Sequence, residues 1–492
     1  MTIKILRRAA LAAAICSASS GIFSSGAMAA GFGLQESSSS GLGRAFAAEN
    51  AIGDNAAILA RNPAGSALFN EMAFSVGVTY VNPEIDAAGT TDYYLLTPAG
   101  PTLAASVFAE ANDYATSAAV PNAYLAVPFN DCWSFGLAIN TDYGLETDFD
   151  SDWPVTHIAD KTELLSVDIA PSVAFDYNNQ FSIGVSVNFL YADATLKSKV
   201  PNNFVLDPIA QQLLGTSVSN AKLLDADGDD WDYGWSIGAL WRSVDGRTRI
   251  ALSYQSEFDP EIEADVDSDL LRAYDNAGNV IGTFHNERAN LTLDLPDIAE
   301  LGIYHRFDEH WGIAFGALWT DWNDFERLEA YFPNQRIDGV PIPDYNPLHI
   351  KEENFQSGWR YSLGLEYYPC DEVTWRVGYA YDEGAARDGL NHDGIEESAA
   401  YGLGGGLGLP VTWRTLSIPD ADRQWVTFGG TFKFNNQLSI DAGLAYLWGD
   451  DEPIQEFQAL PLTPTAGLGT YFNGGTTNLE AWLVGASLNY SF

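Results

Sequence analysis

The last eleven residues of the chain alternate without a fault. Trp482, Val484, Ala486, Leu488, Tyr490 and Phe492 fall on one face, and Leu483, Gly485, Ser487, Asn489 and Ser491 on the other. A period of two with one apolar face and one small or polar face marks a strand between two different solvents. In a transmembrane β-barrel those solvents are lipid outside and a polar lumen inside. Phe181, Ile183, Val185, Val187, Phe189 and Tyr191 repeat the pattern, with Ser182, Gly184, Ser186 and Asn188 facing inward. So do Leu438, Ile440, Ala442, Leu444, Tyr446 and Trp448, with Asp441 turned inward.

Short turn signals recur between such strands at Asn130-Asp131, Asn178-Asn179, Asp245-Gly246, Asp308-Glu309, Asp371-Glu372 and Asn435-Asn436. They suit tight hairpins. Longer polar stretches near 83–117, 148–162, 196–230, 261–288, 329–352, 386–415 and 451–475 read as loops at the opposite end. Six short turns and seven long loops join 14 strands, an even count that leaves both termini in the periplasm. Trp133, Trp311 and Trp375 each follow a short turn, where an aromatic belt belongs. The expected fold is therefore an all-β, 14-stranded antiparallel transmembrane barrel over residues 73–492.

The start of the chain supports that location. Lys4, Arg7 and Arg8 precede an apolar run from Ala9 to about Phe23, and Ala27-Met28-Ala29 gives an A-x-A cleavage site. Residues 1–29 read as a secretory signal. No later segment has 18 consecutive apolar residues, so no transmembrane helix is expected. The formal charge of −42 becomes −45 once Lys4, Arg7 and Arg8 leave. Such acidity excludes nucleic acid as a partner and suits a screened or cation-bridged outer surface. Cys132 and Cys370 sit at turns about seven strands apart, on opposite walls, where a disulfide cannot form.

Residues 30–72 precede the first strand and are rich in Gly, Ala and Ser. They form either a periplasmic leader or a plug folded into a lumen wide enough to need filling. Arg44 and Arg61 are their basic residues, and partners among Glu36, Glu49 and Asp54 are expected.

Residues Ala30 to Ala64, AGFGLQESSSSGLGRAFAAENAIGDNAAILARNPA, resemble the N-terminal hatch of the FadL family of long-chain fatty acid transporters. The stretches Asp142–Phe149, Leu293–Phe307, Ser417–Trp425 and the closing strand resemble the family as well. The resemblance implies a monomeric 14-stranded barrel with an N-terminal luminal hatch. It implies passive transport of long-chain fatty acids or similar hydrophobic molecules past the lipopolysaccharide barrier. Ligand would bind an apolar luminal pocket, the hatch would rearrange, and exit would be lateral through a kink in strand 3. Phe32 would touch ligand or anchor the hatch. Asn62, Pro63 and Ala64 match the family's hatch motif near that kink, and Asp142, Tyr143 and Gly144 mark the kink itself. Polar residues and a glycine breaking a strand are what a bulge requires. Possible headgroup contacts are Lys197, Lys199 and Arg61, while another family lysine aligns with Gln356. Some relatives import aromatic hydrocarbons, so neutral or aromatic hydrocarbons remain an alternative substrate. Phe492 resembles the terminal aromatic read by the outer-membrane assembly machinery.

Competing chemistry is thin. Gly234-Trp235-Ser236-Ile237-Gly238 matches G-x-S-x-G but lies within an alternating strand rather than a strand-to-helix elbow. Asp225, Asp227, Asp229 and Asp230 lack the glycine and final glutamate of a calcium loop and read as a solvated acidic loop. The histidines at 157, 285, 305, 310, 349 and 392 show no triad or metal spacing. The run Gly402–Gly408 lacks the residues of a phosphate cradle. No enzyme, metal site or cofactor is expected. A general porin is the remaining alternative and would need an open, charged lumen.

Overall fold

The computed structural model describes residues 31–269, 272–274, 280–283, 287–331, 336–337, 340–341, 348–395, 407–463 and 466–492. The signal assigned to residues 1–29, His285 and residues 402–406 of the glycine run lie outside the described residues.

Fourteen antiparallel strands close into a barrel. They are β1 (Ala73–Thr97), β2 (Gly100–Ala111 and Ala118–Pro128), β3 (Trp133–Asn140 and Gly144–Asp148), β4 (Lys161–Tyr177) and β5 (Phe181–Lys199). Next come β6 (Lys222–Arg242), β7 (Thr248–Gln255 and Glu261–Asp267), β8 (Glu287–Thr292 and Asp297–Arg306) and β9 (Trp311–Asp321 and Arg327–Tyr331). The rest are β10 (Leu348–Glu352 and Gly358–Cys370), β11 (Val373–Asp382), β12 (Arg423–Lys433), β13 (Leu438–Gly449 and Pro453–Thr463) and β14 (Ala466–Ser491). Pairing of β14 with β1, from Ala73–Ser491 to Leu96–Gly467, closes the cylinder and leaves no edge at membrane depth.

The expected faces are observed. Phe181, Ile183, Val185 and Val187 are exposed, while Ser182, Ser186 and Asn188 are buried. Trp482, Val484 and Leu488 point out, and Leu483 and Ser487 point in. Asn and Asp serve the short turns through their side chains. Asn130 Oδ1 accepts from Cys132 N and Trp133 N, and Asn435 Oδ1 from Gln437 N and Leu438 N. Asn178 and Asn179 both take positive φ, +59° and +57°.

The loop expectations need correction. The stretches near 83–117 and 451–475 are largely strand: β1 runs to Thr97, the outer segment of β2 pairs with it, and β13 and β14 continue above the membrane. Likewise Asp225, Asp227, Asp229 and Asp230 belong to β6, not to a loop. Above the membrane the outer face meets water while the inner face, with Ile85, Ala87, Tyr93, Leu468 and Phe472, is buried, so the ladder continues with its apolar side turned inward instead of outward.

Residues 31–72 pack inside this barrel as two short helices, α1 (Ser39–Leu42) and α2 (Glu49–Ile52), and two 3-10 turns, Ala56–Ala60 and Pro63–Leu68. They meet a ring of inward glycines. A Cβ on Gly443 would lie 2.6 Å from the Ser39 carbonyl oxygen, and one on Gly429 2.7 Å from Gly43 Cα. On Gly184 it would collide with the Ala64 amide nitrogen, and on Gly378 with the Arg44 backbone. Glycine here permits backbone-to-backbone contact between wall and filling. Gly184→Leu is therefore expected to leave the barrel closed while displacing residues 31–72. Planar-bilayer recordings should then show a several-fold rise in conductance, with new protease sensitivity in the segment.

Candidate functional site

The strongest local feature lies at the break in β3. Residues 141–143 leave the ladder between Asn140 and Gly144. Two elements replace the lost backbone partners. Ser166 of β4 accepts from Tyr143 N at 3.0 Å and donates to Tyr143 O at 2.8 Å. The N-terminal tip supplies the rest: Leu34 N donates to Asp142 O at 2.7 Å, Gly144 N donates to Phe32 O at 2.9 Å, and Gly33 bridges Tyr143 in antiparallel register. Breaks in β2 and β7 are bridged instead by barrel residues, Ala115 to Thr147 and Phe258 to Leu295.

Phe32 is fully buried at this point. Its ring lies 4.6 Å from Trp322, 5.2 Å from Phe325 and 6.5 Å from Tyr143, and Phe355 closes on Phe325 at 5.1 Å. These edge-to-face contacts suit aromatic quadrupoles. Above them Tyr114, Phe149 and Trp153 stack with centroids 4.3 and 4.2 Å apart. The upper lumen is thus apolar. Nearer the outer surface, the helix α3 (Asp207–Leu214) packs Ala210 beside Tyr93, Phe204 and Leu468, while Val205 and Leu213 stay exposed.

Asn62, Pro63 and Ala64 form the turn beneath the tip. Asn62 Oδ1 caps Ala64 N at 2.9 Å, Asn62 Nδ2 donates to Asn50 O at 2.9 Å, and Pro63 opens the 3-10 turn. Arg61 donates to Gln35 Oε1 at 2.8 Å and Leu34 O at 3.4 Å, so it ties this turn to the tip. Arg44 is fully buried and pairs with Glu49 at 2.6 Å and Asp54 at 2.9 Å, as expected, and with Glu366 of β10 at 3.5 Å. Arg376 of β11 joins both Asp54 and Glu366 at 2.9 Å. That network fastens the lower segment to the wall.

The lysines named as headgroup contacts already have acidic partners. Lys197 meets Asp225 at 3.2 Å and Lys199 meets Asp160 at 2.8 Å, both outside the aromatic cage. Closer to the cage, Lys351 pairs with Glu456 at 3.2 Å and donates to Ser417 Oγ at 2.7 Å. Gln356 is exposed. Of the partners of Phe32, Tyr143 was named from the sequence, while Trp322 and Phe325 were not, nor was Ser166, because cross-strand register and luminal packing bring these residues together and nothing local marks them. In the G-x-S-x-G match, Ser236 donates to Asn188 Oδ1 at 3.1 Å inside β6.

Comparison with known proteins places this geometry. The family model described as outer membrane protein transport protein (OMPP1/FadL/TodX) matches residues 20–492. The chain belongs to this family. It is 31% identical over 506 residues to the long-chain fatty acid transport protein of Escherichia coli (strain K12), covering 99% of each. To the outer membrane protein P1 of Haemophilus influenzae it is 30% identical over 487 residues, covering 95% of this chain and 96% of the relative. A Pseudomonas aeruginosa FadL homologue superposes with a TM-score of 0.72 at 21% identity, covering 94% of this chain and 100% of that one. The Pseudomonas putida toluene transporter TodX gives 0.55 at 16%, covering 95% and 100%. The protein is an outer-membrane transport barrel of the FadL family, in the Gram-negative outer membrane.

One outer-loop group carries a pH dependence. Burial pushes His157 down to about 3; it packs between Tyr93 and Phe204, and neither ring nitrogen has a partner. An opened loop would restore the ordinary value near 6.5. The neutral ring's contribution to loop packing is therefore complete above about pH 6.5 and falls as pH drops towards 3. At pH 5 the loss is about 2 kcal/mol. Protection factors across residues 149–160, that is, exchange rates corrected for the slower intrinsic amide chemistry at lower pH, should fall by more than about tenfold between pH 7 and 5, and His157→Phe should remove that dependence.

Proposed function

We propose that this FadL-family barrel carries long-chain fatty acids or similar hydrophobic molecules passively across the outer membrane. Ligand binds in the apolar upper lumen, displaces the tip around Phe32, and leaves sideways through the wall at Asp142, Tyr143 and Gly144. Residues 30–72 act as the hatch, with Asn62, Pro63 and Ala64 as its turn below the opening, and residues 1–29 are removed as a signal.

The supporting observation is the double role of the tip. Phe32 fills the aromatic cage while its own backbone closes the β3 break. A ligand that takes the place of Phe32 in the cage therefore also removes the hydrogen bonds at the wall. Burial of about 16 methylenes gains roughly 12 kcal/mol, so release needs such a change in the pocket. Names of relatives support the substrate class: several are long-chain fatty acid transport proteins. Neutral aromatic hydrocarbons are the second reading, favoured by the paired state of Lys197, Lys199 and Lys351 and by the fold shared with toluene transporters. A general porin fits poorly with a lumen occupied by residues 31–72. Lipid and lipopolysaccharide surround a monomer, and Phe492 is the assembly signal.

Expression in cells lacking their own fatty acid transporter should restore uptake of labelled oleate. Gly144→Trp, filling the break, should abolish uptake without abolishing binding. Normal uptake by that variant, correctly assembled, would defeat lateral exit.

A further inference from the structure

Among the described residues five arginines are buried, and four of them, Arg44, Arg376, Arg414 and Arg423, pair with carboxylates. Arg360 of β10 has no ion pair among the described residues. It is 3% exposed, its Nη1 donates to Ala45 O at 3.1 Å, and its guanidinium lies over the Phe46 and Trp425 rings. Its Nε and Nη2 have no partner. A chain with 66 acidic residues thus leaves one buried guanidinium unpaired, an arrangement that costs stability.

Its surroundings are the N-terminal tip. Gly33, Leu34 and Gln35 line one small cavity with Arg360, Asp142 and Tyr143, and Gln35 lines a second with Arg360 and Arg61. Arg61 donates to Gln35 Oε1 and Leu34 O, which are neutral acceptors and belong to the tip. Release of the tip therefore strips Arg61 of both acceptors and uncovers Arg360. Each cavity holds no more than about one water, so the room for a headgroup is the volume that the tip vacates.

The acids nearby do not neutralise either guanidinium by contact. Glu49 is held by Arg44 and Ser38, and Glu36 accepts from Gln35 N. Asp142 hydrogen-bonds to Asp168, and two buried carboxyls in contact hold a proton between them. Asp382 stands opposite Arg360 in register and Glu300 lines the second cavity, neither within ion-pair distance of the arginines. Lys197, Lys199 and Lys351 already hold carboxylates, which leaves Arg360 and Arg61 as cations beside the tip with donors to give.

We propose that Arg360 and Arg61 are the carboxylate site of the transported substrate, formed when the tip leaves. The ionised headgroup takes the positions of Leu34 O and Gln35 Oε1, and the hydrocarbon chain takes the place of Phe32 in the cage. The inference rests on the transport reading and adds the residues that recognise the charge. A carboxylate offers two oxygens to the fixed fork of a guanidinium, and such charge-assisted bonds are about twice as strong as neutral ones. A hydroxyl on the same chain offers one neutral oxygen and gains less. The site lies beside Asp142 and Tyr143, so a headgroup held there brings the ligand to the β3 break with the tip already gone.

The test measures binding of labelled oleate and oleyl alcohol, equal in chain and different in headgroup, to the purified barrel at pH 8, with heat-modifiable mobility reporting folding. The wild type should bind oleate about tenfold or more tighter than oleyl alcohol. Arg360→Met and Arg61→Gln should each weaken oleate about tenfold and leave oleyl alcohol within about twofold. Arg360→Lys, which restores the charge, should recover part of the loss. A merely structural role, through Ala45 O or the ring contacts, would weaken both ligands alike. Equal affinity of the wild type for the two ligands would overturn the assignment, and so would parallel losses in the folded variants. The wild-type ratio and Arg61→Gln, at a partly exposed position, carry the test where Arg360→Met does not fold. Binding of neither ligand by the folded wild type would overturn the transport reading and this inference with it.

Discussion

Hydrocarbon offers no hydrogen bonds, so backbone groups at membrane depth need protein partners. The rest of the molecule follows from that constraint. It closes the sheet through β1 and β14. It also makes any gap in the wall a question of what replaces the missing ladder. In β3 the answer is divided between Ser166 of β4, through its side chain and its amide, and the main chain of residues 32–34. The first part belongs to the wall itself. The second belongs to the N-terminal tip, which on the proposed mechanism detaches, and the same tip carries the ring that occupies the apolar cage. Ligand binding and wall opening can therefore be one event, with no need for a signal sent across the barrel.

Detachment has to be local. Below the tip, Arg44, Glu49, Asp54, Glu366 and Arg376 form a buried ionic network between the N-terminal segment and β10–β11. Removing one partner from such a network typically costs 3–5 kcal/mol. The inward glycines add backbone contact over much of the circumference, which a moving plug would lose at once. Residues 31–35, by contrast, are held by a few main-chain bonds, by Arg61 and by one aromatic cluster, and only from Glu36 and Ser37 onward do Asn122 and Tyr124 of the wall add side-chain bonds. On the proposed mechanism, such a division into a firmly held plug and a lightly held tip would keep the lumen blocked to solutes while a single segment responds to ligand.

The fold was legible where two solvents meet the chain. Alternation in β5, β13 and β14, and Asn or Asp at the short turns, follow from lipid outside and polar groups inside. Above the membrane the apolar side turns from lipid to lumen, and the outer parts of β1, β2 and β14 read as loops although they pair. The β3 break could be read from Asn140 to Gly144 because polar residues and glycine interrupt an apolar strand. Phe32 could be read as either anchor or ligand contact, and the cage geometry gives it a place where both are compatible. The partners of Lys197, Lys199 and Arg61 could not be read, since cross-strand register and luminal packing decide them. The glycine ring was visible only as composition, because which glycines face inward at one depth depends on the stagger of every strand.

A reversible lock between tip and wall tests the central claim most directly. Gly33 and Tyr143 face each other as an antiparallel bridge without direct mutual hydrogen bonds, a placement that suits a disulfide. With the exposed Cys132 and Cys370 replaced by serine, the pair Gly33→Cys and Tyr143→Cys should stop uptake of a labelled long-chain substrate when oxidised and restore it when reduced. Unaltered uptake through the oxidised, fully cross-linked barrel would contradict the account, because the substrate would then be crossing without release of the tip from β3.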